Sequence, residues 1–230
     1  MSKNKTFAEQ YLDFSQIDWQ VFQTKVVETL YMTLISMVFV IVIGFLLGLL
    51  LYMLGRRKKG VARIFYSLIS ILSNVFRSVP YIILLLLLMP LSKILVGSSL
   101  GSKAAIPSLI ISAAPFFARL VETAFREVDS GVLEAADAMG ATPLQKIWKV
   151  LIPESLPAIL SGVTLTTVSM IGYTAMAGPI GGGGLGGWAY QGGVSQNKYT
   201  IVLVATVAIL AIVFMVQFIG DQLVKRSDKR

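Results

Sequence analysis

Long uncharged runs alternate with short charged ones along most of the chain, and the runs suit lipid better than a water-soluble core. Residues 29–55, TLYMTLISMVFVIVIGFLLGLLLYMLG, carry no charge at all. A helix needs ~20 predominantly apolar residues to cross the hydrocarbon of a bilayer, so this run predicts a span over about 29–54. Residues 64–96 are apolar except for Arg77 and Lys93. They predict a surface or entering helix over Ile64–Val75, then a span over about 78–96 with Pro80 in its first turn, where a missing N–H does no harm. Arg77 at that junction is expected to reach out to the head groups. Further runs predict spans over about 104–125, with Pro107 and Pro115 as kink points, over 156–177 and over 199–220. The expected fold is all-α, a polytopic membrane protein with about five transmembrane helices. A segment over 1–28 precedes the spans, a polar loop over 126–155 interrupts the spanning region 29–220, and a basic tail over 221–230 follows.

Composition narrows the chemistry. Hydrophobic residues make up 55% of the chain and charged residues 14%, with mean hydropathy +0.76, against about 25% charged in soluble domains. The chain has no Cys and no His, which excludes disulfides, thiolate catalysis and histidine metal sites. No catalytic constellation and no cleavable signal peptide is evident, so neither an enzyme nor a processed leader is expected. Gly44 and Gly48 form a G-x-x-x-G pair, a spacing that lets helix backbones approach closely or that arises by chance in an apolar helix.

Charge sets the expected orientation. Twelve Lys/Arg fall in the loop 55–63, the segment 126–157 and the tail 221–230, against five in 1–28, 97–103 and 178–198. The positive-inside rule then places the N-terminus outside, and the 126–155 loop and the C-terminus in the cytoplasm. The net charge of +8 is thus scattered over inner-face loops and forms no stripe for nucleic acid.

The cytoplasmic loop carries a soluble-looking stretch, EAADAMGATPLQKIWKVLIP (Glu134–Pro153). Ser130 is the expected N-cap, Val132, Ala135, Ala136 and Met139 share a helical face, and Gly140 sits where a left-handed C′ residue belongs. Thr142-Pro143-Leu144-Gln145 reads as a capping box with proline at the first helical position. Leu144, Ile147, Trp148 and Leu151 then repeat at helical spacing until Pro153, which is expected to stop the second helix. Two short helices meeting at a glycine turn are marginal alone in water. Physics leaves two readings: a loop folded back on its own bundle, or a knob whose small face (Ala135, Ala136), bordered by Glu134 and Asp137, receives a partner.

Glu134-Ala135-Ala136, Gly140, Val150, Ile152 and Pro153 resemble the EAA motif of ABC importer permeases, E-A-A-x3-G-x9-I-x-L-P, with Val for Ile and Ile for Leu. The runs AAPFFARLVE (113–122), EAADAMGATP (134–143) and GYTAMAGPIGGGGLG (172–186) are similar to the methionine-uptake type of that family. The resemblance implies a permease for D- or L-methionine whose Glu134, Ala135, Ala136, Asp137, Met139 and Gly140 couple to a cytoplasmic ATPase. It further implies two ATPase copies carrying ATP and Mg, a second copy of this chain, and an extracytoplasmic solute-binding protein, lipid-anchored or periplasmic. No cofactor is expected on this chain. An osmoprotectant or other amino-acid permease keeps the class and changes the cargo, and an ATP-independent channel or scaffold is the rival outside it.

In the fourth span, Gly162, Thr166, Ser169, Gly172 and Ala175 fall roughly on one face by steps of three or four. A small, polar stripe in lipid either packs helices at a dimer interface or lines a path for a polar solute. The following GPIGGGGLGG (178–187) lacks the strand and helix of a dinucleotide site and predicts a tight re-entrant or surface turn.

Overall fold

The structure, a computed structural model, describes residues 10–56 and 60–228. The cations at 3, 5, 57–59 and 229–230 that weigh in the charge count lie outside those residues. The main helices among the described residues are α1 (Trp19–Gly55), α2 (Val61–Ser78), α3 (Tyr81–Val96), α4 (Ser102–Arg126), α5 (Ser130–Ala138), α6 (Pro143–Ile180), α7 (Gly184–Tyr190) and α8 (Tyr199–Ser227). No strand occurs among the described residues. Four of the helices, α1, α4, α6 and α8, are long and apolar enough to cross a membrane. The pair α2 and α3 supplies a fifth crossing when counted as one broken span.

Several boundaries differ from the expected ones, each for a local reason. α1 begins at Trp19, ahead of the expected span, because the Asp18 carboxylate accepts the N–H groups of Gln20 (2.9 Å) and Val21 (3.1 Å), as an N-cap does. Its 37 residues extend ~55 Å at 1.5 Å per residue, more than the ~30 Å of hydrocarbon. Pro80 is not in the first turn of α3 but caps it, receiving the N–H groups of Ile83 (2.9 Å) and Leu84 (3.1 Å). Val79, pushed to extended backbone (φ −77°, ψ 125°) as residues before proline are, ends α2. α4 runs unbroken through Pro107 and Pro115.

Pro153 does not stop a helix either. The chain stays helical from Pro143 to Ile180, because Ile147–Leu151 forms a wider π-turn closed by the Ile152 N–H on the Ile147 carbonyl. In an α-helix the proline ring would strike the carbonyl four residues back, and the π-turn falls on that stretch. Just beyond, the Ser155 hydroxyl donates to the Leu151 carbonyl at 2.6 Å.

Two units make up the chain. The first holds the residues up to Met37, Pro80–Ile110 and Thr167–Met215. Its core gathers Ile17, Leu185, Trp188, Ile201 and Ala205. The glycine-rich stretch is more than a turn here. It folds into a short helical hairpin in which Gly178 lies against the backbone of Gly186 and Gly187, leaving no room for a Cβ. The start of α7 is fixed to α1: the Glu28 carboxylate accepts the Gly184 N–H (2.7 Å) and the Thr29 hydroxyl accepts that of Leu185 (2.9 Å). Tyr81 bonds Ser108 (3.2 Å) and stacks on Tyr173 with ring centroids 4.8 Å apart.

The second unit holds Val38–Val79, Ile111–Thr166 and the chain from Val216. Here the G-x-x-x-G pair packs α1 against α4. A Cβ on Gly44 would meet Phe117 Cδ1 at 2.8 Å, and one on Gly48 the Ala118 carbonyl at 2.6 Å. Phe125 of α4 lies between the rings of Phe45 and Tyr52, with centroids 5.9 and 5.5 Å away.

Candidate functional site

The polar loop between α4 and α6 lies wholly in the second unit. Asp129 rather than Ser130 caps α5: its carboxylate accepts the Gly131 N–H at 2.6 Å, and Ser130 is the first helical residue. A charged acceptor at a helix N-terminus gains from the helix dipole as well as from the hydrogen bond. α5 has nine residues and ends at Ala138, with Met139 as its C-cap. Gly140 follows with φ +75°, its N–H on the Asp137 carbonyl (2.9 Å) and the Ala141 N–H on that of Ala136 (3.0 Å). This is the paired bonding of a Schellman turn, which needs a left-handed residue at that place.

The next residues restart the helix at once. The Thr142 N–H donates to Gln145 Oε1 (2.8 Å) and the Gln145 N–H to Thr142 Oγ1 (3.3 Å), closing the capping box. Lys146 Nζ reaches back to Asp137 Oδ1 at 2.5 Å, joining α5 to the start of α6. Asp137 is 56% exposed, so this pair orients the two segments more than it stabilises them.

Burial redistributes the expected contact face. Ala136 is 2% exposed and packs inside its own chain, behind the exposed face of α5. Glu134, Ala135 and Asp137 are exposed, and Val132, Ala135 and Met139 share one open face by spacings of three and four. Met139 is 82% exposed. The bulky face of the second segment divides likewise: Leu151 is buried, whereas Leu144 and Trp148 are exposed.

Immediately before α5 lies an ionic cluster. Glu122 is 3% exposed and takes Arg119 (2.6 Å) on one oxygen and Arg126 (2.7 Å) on the other. Tyr66 of α2 donates to the same carboxylate at 3.2 Å. Gly55, the last residue of α1, leaves space for the Arg126 guanidinium, which lies 2.7 Å from where its Cβ would be. The Arg119–Glu122 spacing is legible in the sequence; Arg126, one further turn along, was equally readable, whereas Tyr66 had no signal.

The small, polar stripe of α6 does not stay on one face. Gly162 is buried with a Cβ position 3.3 Å from Leu120, and the buried Thr166 hydroxyl donates to the Gly162 carbonyl at 2.7 Å. Ser169 and Ala175 are half-buried, and Gly172 is exposed with nothing within 4 Å of its Cβ position. Three residues turn an α-helix ~60° short of a full circle, so the successive steps of three from Thr166 rotate the stripe away. The first two residues therefore pack within the second unit, and only the later part of the stripe opens outward.

Residues 44–229 match the family model for the binding-protein-dependent transport system inner membrane component. The chain is 44% identical over 212 residues to a probable D-methionine transport system permease protein of Pasteurella multocida, covering 92% of this chain and 98% of that one. It is 54% identical over 164 residues to the methionine import system permease protein of Bacillus subtilis, covering 71% and 74%. Among solved structures, a chain of an inward-facing methionine ABC transporter superposes with TM-score 0.87 at 41% identity, covering 92% of this chain and 98% of that one.

Proposed function

Because the chain belongs to the family of binding-protein-dependent transport-system inner membrane components, we propose that it is the membrane-spanning permease subunit of an ATP-driven importer of D- or L-methionine. Its likeness to methionine permeases along nearly the full length of both chains carries this reading. In it, the N-terminus is outside, the α5 loop and the C-terminus are cytoplasmic, and the chain itself hydrolyses nothing. ATP and Mg bind a separate ATPase subunit.

The geometry of the α5 loop suits that division of labour. Val132, Ala135 and Met139 offer a compact face with no bulk beyond Met139, flanked by Glu134 and Asp137, to a cleft of the ATPase. Two copies of the chain surround the pathway about a twofold axis, with two ATPase subunits beneath and a lipid-anchored solute-binding protein delivering substrate from outside. Later positions of the α6 stripe, Ser169, Gly172 and Ala175, then face the pathway or the second copy. Closure of the ATPases on ATP draws the α5 helices together, and the Glu122 cluster passes the displacement into the spans. Hydrolysis and release reverse it.

Uptake of labelled methionine and labelled betaine by cells lacking and regaining this chain tests the cargo. Methionine uptake is expected to vanish and return with the chain while betaine uptake holds steady. Loss of betaine uptake with methionine uptake intact contradicts the assignment.

A further inference from the structure

At the end of α1 the second unit contains a cavity of about 260 Å³, lined by Tyr52, Met53, Arg56, Leu133, Ile147 and Leu151 together with Pro143 and Lys146. We propose that this cavity holds the phosphate of an anionic phospholipid head group. The inference rests on the cytoplasmic placement of the α5 loop, which puts the cavity at the inner leaflet.

Its walls have two chemistries. Arg56 and Lys146 bring two cations to one opening, and Tyr52 adds a phenol. The Arg56 guanidinium donates to the Tyr52 hydroxyl at 3.0 Å and lies 5.7 Å from the ring centroid. It pairs with no carboxylate among the described residues, so most of its five N–H donors remain for a ligand. The phenol accepts from Arg56 and keeps its own hydrogen to donate. Lys146 spends one donor on Asp137 and has two more. Met53, Leu133, Ile147 and Leu151 make the remaining wall apolar.

An anionic group with an attached apolar body fits both halves. Guanidinium forks match phosphate oxygens, and basic pockets on the cytoplasmic side of membrane helices hold anionic lipid head groups. The cavity is small beside the ~300–1,000 Å³ of sites that engulf whole drug-sized ligands, so it suits a head group whose chains stay in the bilayer. Arg56 directly follows the uncharged run that ends at Gly55, the level at which head groups lie. The site bridges the end of α1 and the α5 loop, so a bound lipid braces the segment that grips the ATPase.

The test uses the permease–ATPase complex, reconstituted in phosphatidylcholine with or without phosphatidylglycerol and then released for native mass spectrometry. The wild type is expected to retain phosphatidylglycerol in preference to phosphatidylcholine. Arg56→Gln should retain about fivefold less, since each cation near an anionic lipid contributes ~1 kcal/mol, and Arg56→Lys should stay near wild type. Added inorganic phosphate should leave the retained lipid in place. Equal retention of the two lipids by the wild type overturns the proposal, even where Arg56→Gln fails to assemble. Equal retention by wild type and Arg56→Gln overturns it as well. Displacement of the lipid by inorganic phosphate assigns the cavity to a soluble anion and equally overturns it. A chain that recovers no ATPase at all defeats the functional reading instead, and its lipid retention still decides the site.

Discussion

Glu122→Leu is expected to abolish methionine uptake and to destabilise the detergent-solubilised chain by about 2–3 kcal/mol. Removing one partner of a fully buried ion pair costs roughly 3–5 kcal/mol because the other charge is stranded. The cost is smaller here, since Arg119 and Arg126 are 27% and 51% exposed and can turn toward water. What the leucine cannot replace is the carboxylate that joins three donors, one of them Tyr66 from α2. That carboxylate lies on the last turns of α4, just ahead of the Asp129 cap of α5. Glu122→Gln keeps the shape and one acceptor oxygen, so it should lose less stability but still transport poorly. Thermal unfolding and labelled-methionine uptake measured on the same preparations check both effects. Wild-type uptake in Glu122→Leu would remove the cluster from the account of how motion crosses the loop.

Gly140→Val should leave the chain inserted and folded but cut uptake about tenfold or more. Nothing lies within 4 Å of a Cβ at this position, so crowding is not the reason. The reason is φ +75°, where a non-glycine residue carries about 1–2 kcal/mol of strain and a β-branched one more. A shift of 1.4 kcal/mol is a factor of ten in an equilibrium, and α5, with nine residues, has little stability of its own to absorb it. Asparagine tolerates the left-handed region, so Gly140→Asn should transport close to wild type. Uptake in membrane vesicles with a matched ATPase assay separates the variants. Equal transport by the Val and Asn forms would show that the turn geometry does not matter.

Much of this was readable in the sequence because lipid imposes a simple grammar. An uncharged run such as 29–55 has few alternatives to a spanning helix, and the turn at Gly140 with its Thr142–Gln145 box is written in residues whose backbone chemistry is local. The misread places depend on competition or on distance. Asp129 and Ser130 are both good caps, and only the fold shows which one takes the Gly131 N–H. Pro153 ordinarily ends a helix, and no local signal announces the π-turn that carries the chain past it. Ala135 and Ala136 look alike in sequence, yet one is exposed and the other sealed against its own chain. The α6 stripe looked continuous because steps of three and four were treated as one face, although the lag accumulates along the helix. Tyr66 and the Asp137–Lys146 pair join positions that no periodicity connects.

The chain has no Cys, so Met139→Cys supplies its only thiol at the exposed C-cap of α5. In the complex with the ATPase subunit, that thiol should form a disulfide with a cysteine placed in the ATPase cleft, and the yield should change between nucleotide-free and ATP-bound states. Failure to cross-link in any nucleotide state, with the complex intact, would contradict the claim that α5 is the handle through which ATP drives this permease.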